Sequence, residues 1–317
     1  MVFDSVGLVL TDDCNARCKM CCAGKPELQE QHHTLTHQEL TAVLSQIKEV
    51  RSITYVGITG GEPMMHPDLV QAVCDYDFGR PMRISLKTNG FWGRDPKKAS
   101  SFLTRNSQRI KYISFSYDEF HCKYVDLNSI KTLIDLAWNK GIPTDIVGCF
   151  LKDSMSAGTV LDMLGEHAYR CNFLYQPVMR TGLATNFDEE RFIRPYRFGK
   201  EKLPCSVALK HTLLINTALQ VYPCCSQVVE GTILRIGDLT VEPLSKVISR
   251  TKHNKLLVSL FTKGLTPFLD VISDEADCPS EFSTPCEACE YLFRDTRFFN
   301  QFRNEDRVEK VGVSAPR

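Results

Sequence analysis

The sequence has no apolar run approaching the roughly 18 residues that a membrane-spanning helix needs. It has no excess of either charge. Lys+Arg and Asp+Glu both number 38 among 317 residues, so charge makes no case for nucleic-acid binding. The short apolar stretch VGLVL near the start has no basic flank, which argues against a secretory signal peptide. There is no internal repeat beyond a strand–helix alternation, and no low-complexity tract. These absences lead to the expectation of a globular cytoplasmic protein with no membrane partner. Its length suits one large domain, or one domain plus a smaller module.

Cysteine is the exception, with 14 residues. In a small secreted chain that number would suggest disulfides. Here the chain is long and most cysteines fall in close-set groups, which favours metal ligation in a reducing cytosol. Cys74, Cys122, Cys149 and Cys171 lie singly in predicted elements and read as buried apolar thiols.

Apolar periodicity predicts six strand–helix units before residue 190. Strands are expected over 5–10, 53–59, 83–88, 111–117, 144–150 and 171–178. Thr36 and Glu39 form a capping-box pattern that opens the first helix, and Leu40, Val43, Leu44 and Ile47 share one of its faces. Repeated units of this kind imply a parallel sheet, either doubly wound or an incomplete barrel. Functional loops then gather at the C-terminal ends of the strands. Near residue 190 the pattern changes. An irregular charged stretch leads to HTLLINTALQVYPCC, a hairpin-like pair of strands. Two helices follow near 242–262, and then CPSEFSTPCEACEYLF. The expected organisation is an α/β domain over 1–190 and a smaller α+β module over 191–317, with a loose polar tail after about 303.

CNARCKMC places Cys14, Cys18 and Cys21 in a C-x3-C-x2-C array just after the first strand. Three thiolates on a short loop can hold three irons of a [4Fe–4S] cube and leave the fourth iron open. A zinc knuckle is the bland alternative, although zinc sites usually pair C-x2-C with a second such pair. Gly60, Gly61, Glu62 and Pro63 directly follow the second strand. Paired glycines allow a ligand to approach the backbone, and a carboxylate there can receive an ammonium group.

With these two motifs the chain resembles the radical S-adenosylmethionine (SAM) superfamily. The resemblance implies a partial (βα)6 barrel in which Cys14, Cys18 and Cys21 hold a SAM-binding [4Fe–4S] cluster. It implies that Gly60, Gly61 and Glu62 meet the methionine amino group of SAM. Asn89 in KTNG, and Ser116 and Asp118 in FSYDEFH, would lie beside SAM or substrate. From the residues alone, Asn89 also reads as part of an Asn-Gly turn and Asp118 as a helix N-cap. Met20 stands where the superfamily often has an aromatic residue, and it would pack on adenine.

Beyond residue 190, LPCS…VYPCC…PCEAC looks like the shortened SPASM, or twitch, module that carries one auxiliary [4Fe–4S] cluster. On that resemblance Cys205, Cys224, Cys286 and Cys289 are its ligands, and Cys278 is left out. A zinc site using the same four thiolates stays open. The module's usual hairpin glycine is Leu219 here, which counts against a tight turn.

Cys225 follows a proposed ligand on an extended segment, so it points to the opposite side. KTNGFWG, FSYDEFH, VYPCCS and EFSTPCEACEYLF, in this order, look like the radical SAM peptide epimerases that act on epipeptide-type precursor peptides. In that family a 5′-deoxyadenosyl radical removes the Cα hydrogen of an L-residue. The second cysteine of the CC pair returns hydrogen from the other face. The donor carried over is Cys225. Cys22 is expected to pack behind the first cluster. Leu209 stands where the family has a substrate-facing acidic residue, so docking is expected to differ. The implied partners are a ribosomally made precursor peptide and an electron donor such as flavodoxin or ferredoxin. No leader-binding domain is expected ahead of the first strand, and the peptide is expected to dock at the barrel mouth or on the second module. The alternatives are a thioether-forming or sulfatase-maturase-like oxidation, and a non-catalytic iron–sulfur or zinc protein.

Overall fold

The computed structural model describes residues 2–23, 33–197, 205, 211–272 and 279–294. Leu209 and Cys278 lie outside the described residues.

Six parallel strands form the frame: β1 (Ser5–Val9), β2 (Tyr55–Thr59), β3 (Arg83–Thr88), β4 (Ile110–Ser116), β5 (Thr144–Phe150) and β6 (Asn172–Pro177). Each of the first five is followed by a helix: α1 (His37–Glu49), α2 (Pro67–Asp75), α3 (Pro96–Asn106), α4 (Leu127–Trp138) and α5 (Ala157–Leu164). The local sequence sets where these helices begin. The expected capping box forms, with Thr36 and Glu39 each bonded to the other's backbone N–H. Asp95 caps α3 ahead of Pro96, and Asp126 and Ser156 cap α4 and α5.

The C-terminus of α1 is held by one side chain. The Arg80 guanidinium donates to the carbonyls of Ile47, Lys48, Val50 and Ile53 at 2.7–3.1 Å. A cation is favoured where helix carbonyls lack partners. Ile47 O and Val50 O also accept backbone N–H bonds, so Arg80→Met orphans Lys48 O and Ile53 O, and it is expected to lower unfolding stability by about 3 kcal/mol. Urea denaturation of the two proteins checks this.

Strand alternation separates the two faces of the sheet. Val56, Ile58, Ile84, Leu86, Ile113 and Phe115 are buried against the helices. The opposite face carries Tyr55, Gly57, Arg83, Ser85, Lys87, Tyr112, Ser114 and Ser116, which line a cavity of about 2540 Å³. Closed (βα) barrels fill this space with layers of apolar side chains. Here that face carries polar and charged side chains as well as apolar ones, and the space is left open.

The chain beyond residue 190 does not stand apart from this sheet. β8 (Thr212–Ile215) pairs in parallel with β1, Ser5 opposite Thr212, and their hydroxyls meet at 2.8 Å. β9 (Gln220–Tyr222) returns antiparallel to β8, and β10 (Gly237–Asp238) follows, giving the strand order β10-β9-β8-β1-β2-β3-β4-β5-β6. The hairpin turn is tight despite its missing glycine. Leu219 takes the left-handed conformation at φ 59° that a glycine would adopt more easily. β7 (Tyr196–Arg197) pairs with β11 (Glu281–Phe282) in a separate two-stranded sheet. The helices α6 (Leu244–Thr251), α7 (Lys255–Lys263), α8 (Thr266–Ile272) and α9 (Pro285–Arg294) complete this part. A second apolar cluster, including Leu214, Tyr222, Leu257, Phe268, Phe282 and Phe293, holds it together. No helix among the described residues is long and apolar enough to cross a membrane.

Candidate active site

The first cysteine loop leaves the end of β1 and lies against the loop after β2. Gly61 N–H donates to Thr11 O at 2.6 Å, and Glu62 N–H to Asp13 O at 2.7 Å. A Cβ on Gly61 would fall 2.2 Å from Asp13 O, and one on Gly60 would fall 2.7 Å from Thr11 O. The close approach that requires the two glycines is made by the cysteine loop's own backbone.

Glu62 is fully buried. Its Oε1 accepts from Met64 N–H and the Thr88 hydroxyl, and its Oε2 from Asn89 N–H at 2.6 Å. Burial outweighs these donors and pushes the carboxyl up to about 7. Oε2 accepts one bond and keeps capacity for another. The Asn89 side chain accepts from Phe91 N–H at 3.0 Å and donates to Asn15 Oδ1 at 2.8 Å. Asn89 therefore makes the turn and also grips a residue between Cys14 and Cys18.

Ser116 lines the cavity at the end of β4. Asp118 is fully buried and caps no α-helix. Its Oδ1 accepts from the N–H groups of Phe120 and His121 and from His121 Nδ1, and its Oδ2 from Cys149 N–H at 2.8 Å. The carboxylate thus ties the β4 loop to β5 and orients an imidazole. His121 lines the cavity, and with Nδ1 held at 2.8 Å its other nitrogen stays available. The sequence signal for His121 is the D-x-x-H spacing in FSYDEFH, which the motifs around Ser116 and Asp118 do not single out.

The thiols form two sets. Burial pushes Cys14 up to about 11 and Cys18 up to about 12, helped in each case by the Cys21 thiol, and the Cys14 thiol acts on Cys18 as well. Cys14 is exposed, Cys21 half-buried and Cys18 buried. In the second part, Cys224 is raised by its hydrogen bond with Cys225, by burial, and by Cys289 and Cys286. Cys286 is pushed up to about 12 by burial and by Cys225, Cys205 and Cys22. Cys289 is raised by burial and by Cys205 and Cys286. The four sequence-predicted auxiliary residues are thus mutual electrostatic neighbours. Among the described residues no group of three or more His, Cys, Asp or Glu is gathered so as to hold a metal ion. Raised thiols such as Cys14, Cys18, Cys224, Cys286 and Cys289 are donors suited to a cationic centre, which displaces their protons on binding.

Three further thiols line the same cavity: Cys22, Cys149 and Cys225. Cys225 is exposed. Cys149 packs half-buried against an apolar cluster with Phe120, Leu151 and Phe192, as expected of a buried thiol, but β5 also turns it towards the cavity beside Asp118, Lys87 and Cys22. Cys22 also departs from expectation. It packs on the second apolar cluster and neighbours Cys286, so it does not sit behind the first loop. Cys74 is buried in the main core as expected, and Cys122 and Cys171 pack half-buried against it. Met20 is half-buried at the cavity wall.

Both parts of the chain hold the site. Thr217 in the hairpin turn donates to Asp12 at 2.7 Å. Glu287, between Cys286 and Cys289, accepts from Arg180 N–H at 3.2 Å and so fixes α9 to the loop after β6. Leu183 N–H donates to Cys21 O at 3.0 Å.

Residues 8–147 match the model of the Radical SAM superfamily. The parallel half-barrel and the C-x3-C-x2-C loop at its mouth agree with that match, and residues 8–147 are a radical SAM domain, of a superfamily that uses a [4Fe–4S] cluster and SAM. It is 24% identical over 307 residues to YydG of Bacillus subtilis (strain 168), whose name refers to peptide biosynthesis, and the match covers 94% of each chain. It is 33% identical over 91 residues to a GTP 3′,8-cyclase of Crocosphaera subtropica (strain ATCC 51142 / BH68), covering 28% of this chain and 27% of the cyclase. Among solved structures, native anSMEcpe with bound AdoMet and Kp18Cys peptide superimposes with a TM-score of 0.54 at 13% identity, over 97% of this chain and 99% of that one. That likeness extends the shared fold through the C-terminal part.

Proposed function

We propose that this enzyme epimerises L- to D-residues in a ribosomally made precursor peptide. The observation that carries the reading is Cys225: an exposed thiol, beside a set of four other cysteines, on the wall of the cavity that also contains the first cysteine loop. The full-length similarity to a protein named for peptide biosynthesis supports a peptide substrate. So does the cavity of about 2540 Å³. Sites for small molecules take roughly 300–1,000 Å³.

In this reading the barrel, residues 1–190, and the auxiliary module, 191–317, each hold one [4Fe–4S] cluster. Cys14, Cys18 and Cys21 ligate the first, and Cys205, Cys224, Cys286 and Cys289 the second. When bound, the first cluster and SAM supply a 5′-deoxyadenosyl radical. Glu62 Oε2 accepts the methionine ammonium beside the Gly60–Gly61 turn, Asn89 keeps the cysteine loop in register, and Met20 packs on the adenine. Ser116 and the Asp118–His121 pair border SAM and the substrate. One Cα–H bond of the peptide would be broken on the SAM side, its hydrogen leaving in a C–H bond of 5′-deoxyadenosine. The S–H bond of Cys225 is then broken to form a Cα–H bond on the opposite face. The thiyl left behind takes one electron, from a donor such as flavodoxin or ferredoxin, and one proton. The substrate is neither oxidised nor reduced.

Turnover in D2O followed by mass spectrometry and chiral amino-acid analysis tests this. Each modified residue is expected to gain one deuterium through the exchanged thiol and to appear as the D-isomer. A product lighter by two hydrogens, as thioether formation or sulfatase-type oxidation gives, defeats the reading.

A further inference from the structure

The inner face of β3 carries charge where barrel interiors are normally apolar. Arg83, Ser85 and Lys87 point inward, while Ile84, Leu86 and Thr88 are buried on the other side. Lys87 is the unusual member. Strand register sets it opposite Ser114 of β4, and its charge acts on the Cys149 thiol of β5. Its ammonium therefore reaches up the cavity towards the C-terminal ends of the strands.

No carboxylate lies within 4.0 Å of Lys87 Nζ among the described residues. The acidic side chains around the upper cavity have other partners. Glu62 accepts three hydrogen bonds. Asp12 accepts from Thr217, and Asp13 from Thr34 and His66. The neighbours of Lys87 on the wall, Ser114 and Ser116, supply dipoles and no counter-charge. Lys87 is exposed to the cavity, so an anion that enters meets an ammonium with no carboxylate already bound to it.

We infer that Lys87 receives a carboxylate of the substrate, so that the barrel selects a peptide with an acidic side chain close to the residue that reacts. The inference rests on the peptide reading above. The same chemistry could be met by the carboxylate of SAM, and the test separates the two sources.

The test uses the reconstituted full-length chain and pools of nonapeptides, randomised among small and apolar residues at all but the central position. The pools carry central Glu, Gln or Lys, and retained peptide is measured by mass spectrometry at low salt. Wild type is expected to retain the Glu pool about tenfold better than the Gln pool, equivalent to about 1.4 kcal/mol. Lys87→Met is expected to retain the two alike, and Lys87→Glu to prefer the Lys pool. Equal or undetectable retention of the Glu and Gln pools by wild type overturns the inference, as does discrimination that survives in Lys87→Met. Weakened SAM binding by Lys87→Met, measured by calorimetry with the Glu preference intact, assigns the ammonium to the cofactor and also overturns it. Because the pools report binding without turnover, failure of epimerisation in D2O is scored separately.

Discussion

Exchange of Cys225 for alanine is expected to remove the D-residue from the product while 5′-deoxyadenosine continues to form from SAM. The separation follows from where the thiol sits. Cys225 lines the cavity and is exposed, while the thiols assigned to the two clusters are Cys14, Cys18 and Cys21 and the set of Cys205, Cys224, Cys286 and Cys289. Losing Cys225 therefore takes away a group that reacts with the substrate and leaves both ligand sets complete. Formation of the D-residue should fall at least about a hundredfold, the scale on which loss of a hydrogen-transferring group commonly registers. Cys225→Ser should behave like alanine, because a hydroxyl O–H is too strong a bond to give up its hydrogen atom to a Cα radical. Chiral analysis gives one readout and chromatography of 5′-deoxyadenosine the other. A D-residue carrying solvent deuterium from the alanine variant would remove Cys225 from the mechanism and turn attention to Cys149 and Cys22, the other thiols on the cavity wall.

Replacing Cys14, Cys18 and Cys21 together with alanine should abolish 5′-deoxyadenosine altogether. It should also reduce iron after anaerobic reconstitution from about eight to about four atoms per chain, the content of a single [4Fe–4S] centre. The fold should survive, because the loop is joined to its surroundings through its backbone. The bonds from Gly61 and Glu62 to Thr11 and Asp13, and from Leu183 to Cys21 O, involve no sulfur. Circular dichroism of the variant checks that point. Iron falling to zero would mean that the auxiliary thiols hold none by themselves, and iron staying near eight would exclude the first loop as a ligand set.

Much of this architecture is written locally. β3 and β5 begin and end where alternation placed them, and the Thr36–Glu39 box opens α1. What was not legible depends on contacts between distant segments. Nothing near Thr212 announces that its strand will lie parallel to β1, since the pairing partner is 207 residues away. The inward turn of Cys149 depends on which face of β5 meets the cavity. A nearly continuous buried run such as TDIVGCF does not reveal that face. Cys22 reads as a neighbour of the first loop until the second module is seen beside it. α9 is a different case. Cys286, Cys289, Leu292 and Phe293 already have helical spacing, but the cysteine motif drew attention away from the helix that presents it. The glycine pair was read correctly as a place of close approach, but the approaching group is the chain itself.

The parallel seam between β1 and β8 also has a meaning in time. β1 leaves the ribosome well before β8, because the strand that completes its far side is 207 positions behind. At ~5–20 residues per second, that interval lasts roughly ten to forty seconds. Through it, the first cysteine loop hangs from an unfinished edge. A seam with so large a sequence separation closes late, because loop entropy must be overcome before the contact returns anything. Nascent chains therefore pass through a stage in which the first three thiols are made but not yet enclosed, and assembly of the metal centre has to be timed around it.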